Sequence, residues 1–208
     1  MSVVLGTSLP LLLFTGNSAI AANLIQNGSF EMGPNVGAFT TLPAGSTAIN
    51  NWIVTDDDID IVGTFWQASD GQRSIDLNGL QPGAIAQTFN TTIGQEYLVT
   101  FDLAGHPEGV RIKTMRVEAA GAFADFTFNI TGKTTTNMGW TTQSWQFTAI
   151  GTQTTLQFGS LDRSGFRGPA LDNVVVTTED TVVPEPVTIL GSLTLLGFGT
   201  LMKRQKAR

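Results

Sequence analysis

The chain has 208 residues, 41% of them hydrophobic and 13% charged, with a formal net charge of −6. This is enough apolar material to bury the core of one ordinary domain, and its balance with charge excludes wholesale disorder. There is no cysteine, which excludes disulfides, thiolate metal sites and cysteine nucleophiles.

Residues 3–20 form an apolar run broken only by Gly, Ser, Thr, Pro and Asn, and Ala19-Ile20-Ala21 supplies the small-x-small pattern of a cleavage site before Ala22. Residues 1–21 are therefore expected to be a signal peptide. Its n-region is unusual, because the first basic residue of the chain is Arg73.

Residues 22–180 read as one domain. Between Ala22 and Val182 there are sixteen acidic and seven basic residues, a net of −9. A surface of that sign repels nucleic acid and is compatible with neutral glycans or a divalent cation. The pattern is period-two alternation punctuated by turn residues. It is clearest over 96–103, where Tyr97, Val99, Phe101 and Leu103 point one way and Leu98, Thr100 and Asp102 the other. Phe126, Phe128 and Ile130 repeat it, as do Trp145, Phe147 and Ala149, and Leu156 and Phe158. Further strands are predicted near 24–25, 52–54, 59–62, 74–77, 85–89, 111–117 and 171–176, with connections at Gly94-Gln95, Gly132-Lys133 and Gly151-Thr152. About ten short strands without a sustained 3.6-residue stripe predict an all-β antiparallel sandwich of the jelly-roll kind.

Residues 181–186 form a linker, and residues 187–208 a hydrophobic segment with a basic tail. The uncharged stretch 187–202, at about 1.5 Å per residue in a helix, is short for a hydrocarbon core of roughly 30 Å. Lys203, Arg204, Lys206 and Arg208 follow it, orienting the C-terminus toward the cytoplasm. Pro184-Glu185-Pro186, the hydrophobic run and Lys203-Arg204 together resemble the PEP-CTERM sorting signal of Gram-negative bacteria. The resemblance implies recognition by an exosortase-type enzyme, a transient membrane stage, and delivery to the envelope, cell surface or extracellular matrix; a plain tail anchor is the alternative.

Several segments within the domain carry a second resemblance. Asn23-Leu-Ile-Gln-Asn-Gly-Ser-Phe-Glu31 opens it and Gly168-Pro-Ala-Leu-Asp-Asn-Val174 closes it. Between them stand Asp70-Gly-Gln-Arg-Ser-Ile-Asp-Leu-Asn-Gly79, Gly83-Ala-Ile-Ala-Gln-Thr-Phe89 and Tyr97-Leu-Val-Thr-Phe-Asp-Leu-Ala-Gly105. Together they resemble the choice-of-anchor C family, bacterial relatives of domain-of-unknown-function family 642, whose plant members are cell-wall proteins. The resemblance implies a galactose-binding-like β-sandwich, a fold common among carbohydrate-binding modules, and does not fix a ligand.

Modules of similar design often hold a structural Ca²⁺ where the first and last strands lie close together, which makes Glu31 and Asp172 the candidate metal ligands; the alternative is that both cap turns or accept backbone N–H bonds. The acidic run Asp56-Asp57-Asp58-Ile59-Asp60 lacks the glycine and the terminal glutamate of an EF-hand loop and reads as a solvated turn. Trp52 and Trp145, in alternating strands, read as core. Trp66 and Trp140 adjoin turn signals and are candidates to stack on the apolar faces of sugars, with Arg73, His106 and Arg167 as polar contacts. His106 is the single histidine and reads as an exposed loop residue, excluding H-E-x-x-H zinc chemistry. No G-x-S-x-G or phosphate loop is present, and no motif singles out a carboxylate pair for glycoside hydrolysis. The expected function is a non-catalytic carbohydrate-binding or adhesion module that meets an envelope or matrix polysaccharide. A structural matrix protein without a small ligand and, third, a glycan hydrolase are the alternatives.

Overall fold

A computed structural model describes residues 22–163 and 165–178. The proposed signal peptide, the Pro184-Glu185-Pro186 motif and the hydrophobic tail lie outside them. Among the described residues no helix is long and apolar enough to cross a membrane.

Among the described residues eleven strands build two antiparallel sheets. They are β1 (Phe39–Pro43), β2 (Ile53–Asp56), β3 (Asp58–Val62), β4 (Ser74–Asp76), β5 (Ala84–Asn90), β6 (Glu96–Gly105), β7 (Ile112–Ala119), β8 (Ala122–Asn129), β9 (Thr141–Thr148), β10 (Gln153–Ser160) and β11 (Pro169–Thr178). The six-stranded sheet runs β1-β3-β4-β11-β6-β9 and the five-stranded sheet β2-β5-β10-β7-β8. Their inner faces enclose one core, because alternate residues of each strand point inward. Phe101, Phe158 and Met115 are fully buried there, and Phe101 meets Phe158 edge-on at 5.2 Å. Trp52 joins this core as expected, its indole N–H donating to Asn27 O at 2.9 Å. Trp145 is only partly buried, because β9 is an edge strand.

Two expectations about elements change. Residues 24–25 are not a regular strand, although they dock along β11: Leu24 N donates to Val176 O at 2.8 Å, and Asn23 Oδ1 accepts from Val176 N at 3.0 Å. The fit needs Gly28, where a Cβ would lie 1.9 Å from Val174 O. Strand β1 was not expected. Its sequence, Phe-Thr-Thr-Leu-Pro, buries only Leu42 fully and pairs on one side alone, so it carries little alternation.

Candidate functional site

The outer face of the six-stranded sheet is unusually acidic. Asp60, Asp76, Asp102 and Asp172 each neighbour an inward apolar residue (Ile59, Ile75, Phe101, Leu171) and therefore point away from the core. Registry aligns them in two cross-strand rows. Asp60 pairs with Thr41 on β1 and Asp76 on β4, and Asp76 with Ala170 on β11. Asp172 on β11 pairs with Asp102 on β6, and Asp102 with Thr142 on β9. All four carboxylates are buried, so something must cover them.

The cover is the loop 63–73 between β3 and β4, which folds back across the sheet. Asp172 and Asp102 hold it down. Asp172 Oδ2 accepts from Ser69 N at 2.8 Å and Asp70 N at 2.9 Å, and Asp102 Oδ2 accepts from Ser69 Oγ at 2.7 Å. Glu31 grips the far end, its Oε1 accepting from Gln72 N at 2.7 Å and Arg73 N at 2.8 Å. Asn173, in the left-handed region with φ 49°, forms a bulge in β11 and donates from Nδ2 to Asp102 Oδ2 at 3.1 Å. Asparagine tolerates that conformation better than most residues. Burial lifts Asp172 to about 7, against the pull of the N–H groups of Asp70, Asn173 and Ser69.

Glu31 and Asp172 thus address the same loop, as acceptors of its backbone N–H groups. Calcium asks for six to eight converging oxygens. Among the described residues no group of three or more His, Cys, Asp or Glu side chains is arranged to hold a metal ion.

The other two aspartates line a cavity of about 110 Å³, together with Phe39, Val62, Phe65, Trp66, His106 and Phe166. Asp60 is 9% exposed and Asp76 2%. Asp60 Oδ1 accepts from Thr41 Oγ1 at 2.6 Å, and Asp76 Oδ1 accepts from Asn78 N at 2.9 Å and Gly168 N at 3.0 Å. Gly168 is required there, since a Cβ would fall 2.6 Å from Asp76 Oδ1 and 2.3 Å from Asn78 Oδ1. Burial raises both carboxyls: Asp60 against its Thr41 hydrogen bond, and Asp76 far above the usual carboxylate range. The rim is aromatic. Phe39 and Phe166 are half exposed, and Phe65 contacts Phe39 at 5.8 Å and His106 at 5.7 Å between ring centroids.

A buried lysine fixes the far wall. Lys113 projects inward from β7 and donates from Nζ to the carbonyls of Glu108, at 3.0 Å, and Arg167. It thereby ties the loop bearing His106 to the loop bearing Phe166, and an Arg167–Glu108 ion pair at 2.9 Å fastens them outside.

Of the residues expected to contact a ligand, the structure brings Trp66 and His106 together, at 5.6 Å and nearly perpendicular. Neither is exposed as expected. Trp66 turns inward because its indole N–H donates to Ser74 Oγ at 2.7 Å, so it forms a wall and not an open platform. His106 is buried by the rings around it, and burial and the nearby Lys113 charge lower it to about 4; it is neutral at pH 7, with Nδ1 accepting from Glu108 N at 3.2 Å.

Trp140 does not line the cavity. It braces loop 63–73 from the other side, donating to Gln67 O at 2.8 Å. Arg73 is likewise outside, its Nη1 buried without a hydrogen-bond partner near Gly33. Arg167 lies against the outside of the rim, over the Phe166 ring at 4.3 Å. The acidic run 56–60 is only half a solvated turn. Asp56 and Asp57 are exposed, whereas Asp58 Oδ1 accepts from Leu80 N and Gln81 N, and Asp60 enters the cavity.

A family model described as "Protein of unknown function (DUF642)" matches residues 23–177. The chain belongs to the DUF642 family. Two relatives align over most of this domain. Halomucin of Haloquadratum walsbyi is 38% identical over 79% of this chain and 2% of its own length. Protein TEEBE of Arabidopsis thaliana is 30% identical over 74% of this chain and 46% of its own. The chain therefore spans less than half of either relative. Among solved structures, TmCBM61 in complex with beta-1,4-galactotriose superposes with a TM-score of 0.50 at 16% identity, covering 76% of this chain and all of that one. An arabinose-bound α-L-arabinofuranosidase, MgGH51, gives 0.52 at 12% identity, covering 79% of this chain and 27% of that one. At these identities the likeness is one of fold: the DUF642 domain is an all-β sandwich of two antiparallel sheets, similar to that carbohydrate-binding module.

Proposed function

We propose that this DUF642 domain is a non-catalytic carbohydrate-binding module, and that the cavity on the outer face of its six-stranded sheet is the binding site. One observation carries this reading: exposed phenylalanine rings stand around a floor of two buried carboxylates. A sugar residue has the same two-sided character, with C–H faces that stack on rings and hydroxyls that donate to carboxylate oxygens. The shared fold with carbohydrate-binding modules agrees with it, without assigning a ligand. Calorimetric titration of the protein with neutral envelope and matrix oligosaccharides tests the reading. Saturable binding to at least one is expected; no binding to any member of a broad glycan array overturns it and favours a structural matrix role.

The address of the protein is also a proposal. The apolar run before Ala22, together with Pro184-Glu185-Pro186, the hydrophobic stretch and the basic tail, supports export, a membrane-held intermediate and processing by an exosortase-type enzyme, as the PEP-CTERM resemblance implies. The polysaccharide partner would then be one of the envelope or extracellular matrix.

A structural Ca²⁺ at Glu31 and Asp172 belongs here too. What supports it is that both carboxylates address one loop; a bound ion would use Glu31 Oε2 and share the Asp172 oxygens, both of which accept backbone N–H bonds. Chelation with EDTA is expected to lower the melting temperature if the ion is present. An unchanged melting temperature leaves the two residues as anchors of loop 63–73.

A further inference from the structure

The floor of the cavity has a charge imbalance that bears on which sugar enters. Asp60 and Asp76 are cross-strand neighbours, both more than nine-tenths buried, and each engages one oxygen, Oδ1, in the hydrogen bonds described above. Neither Oδ2 has a hydrogen-bond donor among the described residues, and both side chains line the cavity. Among the described residues no lysine or arginine lines it. Lys113 acts on Asp76 through its charge but donates its N–H bonds to two backbone carbonyls, and Arg167 pairs with Glu108. His106 presents a neutral ring. Two buried carboxyl groups thus share a site whose cationic neighbour Lys113 gives neither a hydrogen bond; burial raises both, and a cation entering the cavity favours their charged forms.

The walls favour a particular kind of cation. Phe39, Phe65, Trp66 and Phe166 line the site, and aromatic faces attract organic ammonium groups. They offer no oxygens, so a divalent metal that needs six or more ligands is poorly served. A primary ammonium supplies three N–H donors, enough to reach both free carboxylate oxygens, and its charge makes those bonds short and strong. A hydroxyl at the same place gives one neutral donor, and a uronate carboxylate meets like charge. Building on the carbohydrate-binding reading, we infer that the cavity takes the free ammonium group of an amino sugar, in preference to neutral, N-acetylated or acidic sugars.

The test is a calorimetric comparison on the full chain at pH 6, using a glucosamine tetramer, the matching N-acetylglucosamine tetramer, a neutral glucose tetramer and a galacturonate tetramer. The amine is expected to bind at least tenfold more tightly than the acetylated and neutral tetramers, with no detectable uronate binding. Asp60→Asn should reduce the preference for the amine to within about twofold, while Asp125→Asn, in the exposed pair with Arg116, should leave the preference intact. Equal or tighter binding of the acetylated or acidic tetramer overturns the inference, even if Asp60→Asn does not fold, because the wild-type order is itself decisive. Binding of neutral sugars without preference defeats this inference and leaves the carbohydrate-binding reading standing. No binding of any oligosaccharide defeats both.

Discussion

Asp172 illustrates how one buried carboxylate can both hold a loop over a sheet and lower the stability of the fold. It accepts backbone N–H bonds from Ser69 and Asp70 that hold the loop over the sheet, and a third from its neighbour Asn173, yet burial raises it to about 7 from an ordinary value near 3.8. A folded-state pKa above the unfolded one means the native protein binds the proton more tightly. The contribution of Asp172 is therefore fully present below about pH 4 and lost as pH rises through about 7, up to about 4 kcal/mol at roughly 1.4 kcal/mol per pKa unit. His106 acts in the opposite sense: its depressed value favours the fold above about pH 6.5, and that gain is lost as pH falls toward 4. Urea unfolding of wild type and Asp172→Asn at pH 4.5 and 7.5 separates the two. The stability of wild type relative to Asp172→Asn should fall at the higher pH; a difference independent of pH contradicts the assignment.

Individual residues also show where reading the sequence stops. A tryptophan beside turn residues looks the same whether it is a platform or a wall, and Trp66 was decided by a hydrogen bond to Ser74 that no spacing announces. Phe39, Phe65 and Phe166 carry no local mark of exposure, so the rim was missed. The aspartates did leave a signal. Asp60, Asp76, Asp102 and Asp172 each interrupt a buried strand one residue after an apolar position, and four outward acids in one sheet mark a covered or ligand-facing surface.

At the scale of elements, alternation located ten of the eleven strands, and the buried sides of β6 followed directly from it. What alternation cannot give is how irregular segments attach. The opening segment 23–31 lies along β11 through backbone bonds, and Val174 N donates to Gly28 O at 2.9 Å. Gly28→Ala places a methyl group 1.9 Å from Val174 O, so the segment must lift away. A loss of about 1–3 kcal/mol is expected by urea unfolding, in the range of overpacking substitutions. Glu31 sits on this segment and anchors loop 63–73, so the loop should become protease-sensitive in the same variant. Unchanged stability with an unchanged cleavage pattern shows that the docking is dispensable.

The whole molecule divides its work between two faces. The inner faces of the sheets supply the core that holds the fold without disulfides, while the outer face of the six-stranded sheet spends two aspartates on a fixed loop and turns two toward a cavity. The five-stranded sheet has an exposed aromatic of its own, Phe123, but Arg116 stacks over it at 4.0 Å, and among the described residues no aromatic ring lines the cavities beside its cross-strand partner Glu118. This contrast yields the most direct test of the proposed binding site. For an oligosaccharide that binds the wild-type protein, affinity should be measured calorimetrically for Phe65→Ala and Phe123→Ala, with melting temperatures recorded for both. Phe65→Ala should weaken binding at least tenfold with its fold intact, and Phe123→Ala should leave it unchanged. Full affinity in Phe65→Ala, or loss confined to Phe123→Ala, would place the ligand on another surface and contradict the account.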